Sequence, residues 1–555
     1  MSKAKKLKII PLGGLDEIGK NMTVFEYGNE IILVDCGMSF PDDDMPGVDL
    51  VLNDITYLEN NYQKIRGIFL THGHEDHIGG LPYFLKSINV PVYGTRLTLG
   101  LVENKLKEHN LLSRCKLVRT KPGSVITAGQ FFKVEFIHSN HSIADSVALA
   151  IKTPVGMVVH TGDFKIDTTP IVGDVIDLAR LGQLGKEGVL ALMSESTNVE
   201  RPGYAMSERS VGEKFEQIFA NCNKRIIVAT FASNVHRVQQ IIDAAVKNGR
   251  KVAVSGRSME NIVELSILLG YLKVPEGVLI PIDNIKKYRP NQLVLITTGS
   301  QGEPMSALTR MAFSDHKKVE ITKNDLIILS ATPIPGNEKS VSSVINELFK
   351  IGAEVIYKSL AEVHVSGHAC QEELKLMLSL VKPKFFIPVH GEHRHLVLHK
   401  QLAEKIGIPS KNIFVLSNGS VLEMDKSSAK VTGTVQAGQI LVDGLGVGDV
   451  GNVVLRDRKL LSEDGLIIVI ITISRSEHKL ISPPDVISRG FVYVREAENL
   501  IDGVKYVVEE TLDRCLDKKN YDWSTMKSAI KSAVSKYIYN KTERNPMILP
   551  IIEEV

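Results

Sequence analysis

Three histidines and two carboxylates fall within the six residues His72-Gly-His74-Glu75-Asp76-His77, directly after the apolar run Ile68-Phe69-Leu70. A short apolar run that stops abruptly in glycine and polar residues reads as a buried strand passing into a loop. Gly79-Gly80 then lets the backbone approach closely. Neutral imidazole and carboxylate are the usual ligands of zinc and similar divalent ions. The spacing of His72 and His74 puts both imidazoles on one side of an extended chain, while Asp76 and His77, past the bend, can face a second ion. A solvated polar turn with incidental histidines is the bland alternative, and so many convergent ligand types argue against it.

The same pattern recurs along the chain. A strand over 131–137 leads into His138-Ser-Asn-His141-Ser-Ile-Ala-Asp145-Ser146, where spacing alone does not choose between the two histidines. Val158-Val159-His160 leads into Thr161-Gly-Asp163, with His160 read as a packed or ligand-orienting residue. Leu190-Ala-Leu-Met193 leads into Ser194-Glu195. Ligand types return at His364-Val-Ser366-Gly367-His368 and at Phe385-Phe-Ile-Pro-Val389-His390-Gly391-Glu392.

These runs must be positioned by alternating strands and helices. Strands at 7–12 and 23–35 are joined by Gly13-Gly14-Leu-Asp-Glu-Ile-Gly19, a tight turn that can approach the site and lacks the spaced dinucleotide fingerprint. Helices are expected at 81–87 and 98–108 and a strand at 91–94. From about 205 to 355, strands at 225–230, 251–255, 292–297 and 325–330 alternate with helices at 235–248, 259–269 and beyond, which implies a parallel sheet. No ligand-rich motif occurs in that stretch, so it reads as a second domain inserted into the first. A helix at 396–406 and strand pieces at 413–423 complete the first domain. Residues 431–447 are glycine-rich and read as linker or extended chain. Residues 450–555 read as a small α+β unit with strands at 465–474, 490–495 and 546–552 and helices at 500–516 and 524–540. Its lysines (Lys505, Lys518, Lys519, Lys527, Lys531) read as a solvated face.

Composition narrows the class. A chain of 555 residues with 43% hydrophobic and 23% charged residues is ordinary for soluble protein of about three or four domains. A net charge of +2 means that any basic groove is local. Five scattered cysteines without CxxC suit a reducing cytosol and argue against a cysteine-rich zinc site. The basic N-terminus lacks a signal-type apolar region, and no apolar run is long enough to span a bilayer. The expectation is a cytoplasmic protein.

HxHxDH after an apolar strand resembles the signature of the metallo-β-lactamase superfamily. The inserted α/β domain resembles its β-CASP branch, with Glu195, His368 and His390 at that branch's motifs A, B and C. Thr230-Phe-Ala-Ser-Asn234, Ile296-Thr-Thr-Gly-Ser-Gln-Gly-Glu-Pro304, Pro333-Ile-Pro-Gly336, His364-Val-Ser-Gly-His368 and Ser488-Arg-Gly-Phe-Val-Tyr493 are similar to the ribonuclease J family, over residues 7–555.

That resemblance implies an α/β fold: a metallo-β-lactamase αββα sandwich (1–205 and 358–428), an inserted β-CASP α/β domain (206–357), a linker (429–449) and a small α+β C-terminal domain (450–555). It selects His141, which precedes Ser-Ile-x-Asp-Ser, over His138. One divalent ion is then expected on His72, His74, His141 and Asp163, and another on Asp76, His77, Asp163 and His390, with zinc first and manganese or magnesium open. Asp76, Glu195 and His368 are the expected catalytic residues, with Glu195 holding a proton or orienting a ligand and His368 serving the leaving 3′-oxygen. Ser233, Asn234, His364, Ser366, Gly367 and His368 are expected to bind substrate. The implied activity is cleavage of single-stranded RNA from 5′-monophosphate ends and internally, in mRNA decay and rRNA maturation, by a homodimer or homotetramer that can include a paralogue. A non-catalytic RNA-binding subunit and a small-molecule metallohydrolase are the alternatives; the complete ligand set and the inserted domain count against them.

Overall fold

The computed structural model describes residues 5–555 apart from 43, 304, 334–336, 358–362, 475–478, 493–496 and 517–521. Pro304, residues 334–336 and Tyr493 of the quoted motifs, Lys518, Lys519 and half of the strand expected at 490–495 lie outside the described residues. So does the segment that begins at the expected boundary after 357.

The strand runs are apolar on both faces because each face meets a different partner. In the first sheet Ile9, Phe25, Ile32 and Val34 face inward, while Ile10, Val24, Ile31 and Leu33 face outward. This eight-stranded sheet has the order Ala429–Thr434, Ser420–Met424, Leu7–Gly13, Met22–Tyr27, Glu30–Val34, Ile65–Phe69, Val92–Gly94, Leu117–Arg119. A six-stranded sheet has the order Phe385–Val389, Ala191–Glu195, Gly156–His160, Val147–Thr153, Phe132–His138, Val125–Ala128. Phe25, Val34 and Phe69 of the first sheet pack on Phe132, Phe136, Leu149 and Met193 of the second. Helices Leu81–Ser87 and Arg96–Glu108 cover the outside of the first sheet through Leu81, Leu85, Leu97 and Val102. Helices Leu178–Glu187, Gln371–Val381 and His393–Lys405 cover the second through Leu181, Leu184, Leu374, Met377 and Leu402. The result is the αββα sandwich.

Between Glu195 and His368 the chain builds a separate five-stranded sheet, all parallel, in the order Lys251–Ser255, Leu293–Thr297, Arg225–Ala229, Asp325–Leu329, Glu354–Ile356. Ile226, Val228, Val294 and Ile296 face one set of helices, and Ile227, Leu295, Ile327 and Leu329 the other. The first of these layers continues into the core of the sandwich.

A second compact unit comprises residues 41–50 and 441–555. Its central strand Leu466–Ser474 pairs antiparallel with Asp485–Arg489 and parallel with Met547–Glu554. Alternate residues Ile467, Val469, Ile471 and Ile473 are buried beneath helices Glu498–Leu516 and Trp523–Thr542.

One local expectation is corrected. Residues 23–35 form two strands, because Gly28 takes φ +65° and Gly28-Asn29 closes a hairpin with Tyr27 opposite Glu30. Of the stretch read as linker or extended chain, Ala429–Thr434 is extended and pairs with Ser420–Met424 as an edge of the first sheet. A strand not expected there, Asp485–Arg489, ends before Gly490, which takes φ +69°.

Candidate metal centre

Every ligand-type residue singled out in the sandwich sits at one edge, where strands running the same way end. His72–His77 follow Ile65–Phe69, His141 follows Phe132–His138, Asp163 follows Gly156–His160, Glu195 ends Ala191–Glu195 and His390 follows Phe385–Val389. Backbone strain concentrates here: Asp35 and His390 have φ of +62° and +55°.

Two sets of ligand atoms converge. His72 Nε2 lies 3.0 Å from His74 Nδ1 and 3.7 Å from Asp163 Oδ2. His141 Nε2 lies 3.1 Å from His74 Nδ1 and 3.8 Å from the same Oδ2. On the other side, His77 Nε2 is 3.4 Å from Asp76 Oδ2 and 3.3 Å from Asp163 Oδ2, and His390 Nε2 is 3.2 and 3.4 Å from those oxygens. Asp163 Oδ2 is common to both sets. Around a tetrahedral zinc with bonds of about 2.0–2.1 Å, neighbouring ligand atoms lie about 3.3–3.4 Å apart; Asp76, His77, Asp163 and His390 match that spacing, whereas His72, His74 and His141 form a group of three that Asp163 approaches more loosely. No cysteine takes part.

The opposite ring nitrogens explain why the Nε2 atoms face inward. Asp35 Oδ2 takes the His77 Nδ1 proton at 2.8 Å and the Thr71 hydroxyl proton at 2.8 Å. Thr71 Oγ accepts from His72 Nδ1 at 3.0 Å, Gly367 O from His141 Nδ1 at 2.7 Å, and Thr197 Oγ from His390 Nδ1 at 2.8 Å. In the tautomers that satisfy these partners, each Nε2 presents a lone pair to the cluster. Burial, with neighbouring imidazoles, holds His72 and His141 well below the usual histidine range and pushes His74 down to about 4, so all three are neutral at pH 7. Burial also opposes charge on His77 and His390, yet the Asp163 and Asp76 carboxylates outweigh it and raise both.

Beside the cluster, His368 Nδ1 donates to Glu195 Oε2 at 2.8 Å and lies 3.9 Å from Asp163 Oδ2. Glu195 Oε1 accepts from Phe164 N at 3.0 Å and Ala369 N at 3.3 Å, which fixes the carboxylate in a buried position. Burial lowers the His368 imidazole, but Glu195 more than offsets it and lifts it to about 9.

The expected substrate residues lie along one path. Val363 O accepts from Ser330 Oγ at 2.6 Å and Arg237 Nη1 at 3.3 Å at the C-terminal edge of the inserted sheet. From there His364, Ser366 and Gly367 lead to the cluster, where Gly367 O holds His141. Ser366 Oγ accepts from Asn198 Nδ2 at 2.7 Å. Ser233 is half-buried at the start of helix Val235–Lys247, whereas Asn234 is buried there and its Oδ1 caps the helix by accepting from Arg237 N at 3.0 Å. His138 is turned away, with Nε2 on Asp174 O at 2.8 Å, and His160 Nδ1 accepts from Gly162 N at 3.1 Å. Sequence reasoning missed Asp35, Thr71, Thr197 and Asn21, whose Nδ2 is 3.3 Å from Asp76 Oδ2. Asp35 carried a signal: it ends the apolar run Ile31-Ile-Leu-Val34, as Asp163 follows its own.

Family models match four stretches: the metallo-β-lactamase superfamily at 15–189, the ribonuclease J β-CASP domain at 223–348, the Zn-dependent metallo-hydrolase RNA specificity domain at 352–416 and the ribonuclease J C-terminal domain at 453–555. The chain is 45% identical to ribonuclease J2 of Bacillus subtilis over 99% of both chains. It is 44% identical to ribonuclease J of Thermus thermophilus, over 99% of this chain and 95% of that one. A crystal structure of a protein of unknown function from Enterococcus faecalis, 17% identical, superposes with a TM-score of 0.53 over 76% of this chain and all of that one, a likeness of fold. With the strand-end ligand clusters, the inserted parallel sheet and full-length identity to these relatives in agreement, the chain belongs to the ribonuclease J family, metal-using ribonucleases of the β-CASP metallo-β-lactamase type.

Proposed function

We propose that the chain hydrolyses phosphodiesters of single-stranded RNA, as a 5′→3′ exonuclease favouring 5′-monophosphate ends and as an endonuclease, in mRNA decay and rRNA maturation. The observation that carries this reading is the path 363–368. It joins the edge of the inserted sheet to the ligand cluster, so a strand end held along it would present a nearby phosphodiester to that cluster. The hydroxyls of Ser233 and Ser366, with the backbone at Gly367 and the imidazole of His364, are proposed to hold the terminal phosphate. RNA lying between sandwich and inserted sheet would be bound mainly through backbone charge and stacking, which tolerates sequence.

His72, His74, His141 and Asp163 would hold one ion and Asp76, His77, Asp163 and His390 the other, zinc first on histidine richness, with manganese or magnesium open. When bound, such a pair supplies Lewis acidity at the phosphoryl oxygen and a nucleophile at neutral pH. His368, kept protonated by Glu195, is placed to give its Nε2 proton to the leaving 3′-oxygen. Asp35, Thr71, Thr197 and Gly367 keep the ligand imidazoles in the required tautomer. A homodimer or homotetramer, open to a paralogue, working in the cytoplasm completes the reading. Among the described residues no helix is long and apolar enough to cross a membrane.

The test uses single-stranded RNA labelled at a 5′-monophosphate, incubated with zinc or manganese and with a chelator control. Label released as mononucleotide is expected. Label found only in longer fragments would overturn the exonuclease assignment, and no cleavage with either metal would overturn the whole reading.

A further inference from the structure

The glycine-rich turn after the first strand is not explained by RNA binding or by the ligand clusters, yet its backbone is unusual. Gly14, Asp16, Gly19 and Lys20 all take positive φ, between +47° and +123°. Lys20 is buried, with its Nζ on Glu17 Oε1 at 2.7 Å, and the same oxygen accepts from Asn418 Nδ2 at 2.9 Å. Asn53 Nδ2 donates to Lys20 O at 2.8 Å. Positive φ at two non-glycine residues and a buried lysine are costly, so the surrounding bonds must over-determine this shape.

What the turn delivers is Asn21. Its backbone N–H donates to Asp76 O at 2.9 Å, and its side-chain Nδ2 donates to the same carbonyl at 3.1 Å and to Asp76 Oδ2 at 3.3 Å, and lies 3.2 Å from His77 Nε2 of the same cluster. Gly37 N closes the arrangement by donating to Asn21 O at 2.9 Å. The amide orientation follows from the partners: flipped, Oδ1 would face two acceptors of Asp76. Room for Oδ1 comes from Gly14, where a methyl group would lie 2.2 Å from it. The same turn reaches the other ligand loop of this cluster, because Leu15 and Glu17 both bridge to Gly391, next to His390.

We infer that Asn21 is a positioning residue that orients the Asp76 carboxylate and thereby sets occupancy of the Asp76–His77–Asp163–His390 cluster, leaving the His72–His74–His141 side unaffected. Asp76 has no other side-chain donor among the described residues besides the imidazoles of its own cluster. Without Asn21 the carboxylate is free to rotate away, and losing such a partner lowers metal affinity about 10- to 100-fold.

This inference rests on the two-ion reading, and the experiment separates their failures. Full-length wild type and the variants Asn21→Ala, Asn21→Ser and Asn21→Asp are equilibrated with buffered free zinc over a wide range, and bound zinc per chain is measured by atomic emission. Two ions are expected in the wild type. In Asn21→Ala one of the two steps moves to about 10- to 100-fold higher free zinc while the other stays, with Asn21→Ser, which keeps a donor, in between. Asn21→Asp removes the donor and places a carboxylate against Asp76, so it is expected to bind no better than Asn21→Ala. A curve for Asn21→Ala superposable on wild type overturns the inference, as does tighter binding in Asn21→Asp, which would make position 21 a ligand. If Asn21→Ala does not fold, as judged by its melting curve, the Ser and Asp curves decide alone. A wild type that binds a single ion overturns the two-ion reading itself.

Discussion

Glu195→Gln tests the link between geometry and chemistry most directly, because it removes a charge and little else. The carboxylate lies 2.8 Å from His368 Nδ1 and lifts that imidazole to about 9 against the pull of burial. Relative to an unperturbed value of about 6.5, that is about 3 kcal/mol in favour of the imidazolium. With glutamine in place that push is lost, only Asp163 and Asp76 still oppose burial, and the imidazole falls from about 9 toward lower pH. At pH 7.5 the wild-type imidazole is about 97% protonated, and once its pKa lies below 7.5 each further unit costs about tenfold in rate if His368 supplies the leaving-group proton. The assay is kcat/KM on single-stranded RNA from pH 5.5 to 9.5, with bound metal measured at each end. The wild-type alkaline limb, expected near 9, should move to lower pH in Glu195→Gln, so the defect shrinks as pH falls, and should vanish in His368→Ala. An alkaline limb at the same pH in all three proteins, with metal content equal, would refute the reasoning. The pair also bears on stability of the metal-free chain: its raised folded pKa makes the contribution full below about 6.5 and lost as pH climbs through about 9.

Two further outcomes are expected. Asp163→Asn weakens the one oxygen shared by both ligand sets, so zinc content should fall toward zero at both steps and RNA cleavage to background; retention of one ion at wild-type affinity would contradict the sharing. His399, buried against Phe386 and bonded to Ser196 Oγ at 3.0 Å, is pushed down by burial to about 3. Its contribution is full above about 6.5 and lost as pH falls toward 3, about 2 kcal/mol by pH 5. Melting of the chelator-treated chain between pH 7 and 5 should therefore fall less steeply in His399→Gln, and equal slopes would exclude His399 as a cause.

The ligands were legible because each lies where an apolar run stops, and a buried strand that ends in histidine or aspartate has few structural uses for it. Choosing His141 over His138 was beyond spacing, since both follow one strand. The choice is made by partners far along the chain, Gly367 for one and Asp174 for the other. Thr71 and Asn21 were not legible for the same reason: a lone hydroxyl or amide acquires meaning only from what the fold sets beside it. Asn234 shows the reverse. Ser-Asn before a helical run is a capping signal, and a local reading would have assigned its oxygen to Arg237 N. Glycine likewise marked the Gly28-Asn29 hairpin, which the long apolar run from Thr23 to Val34 concealed.

The interruption of the sandwich by the inserted sheet has a consequence for the chain as it is made. The proposed ligands of one cluster are all present once residue 163 has emerged from the ribosome, but His390 comes after the whole insertion. At about 5–20 residues per second that interval is about 10–45 s. During it the nascent chain carries half a metal centre and neither His368 nor the path beside it. On the two-ion reading proposed above, the chain gains its full cutting centre only after about 70% of its message has been translated.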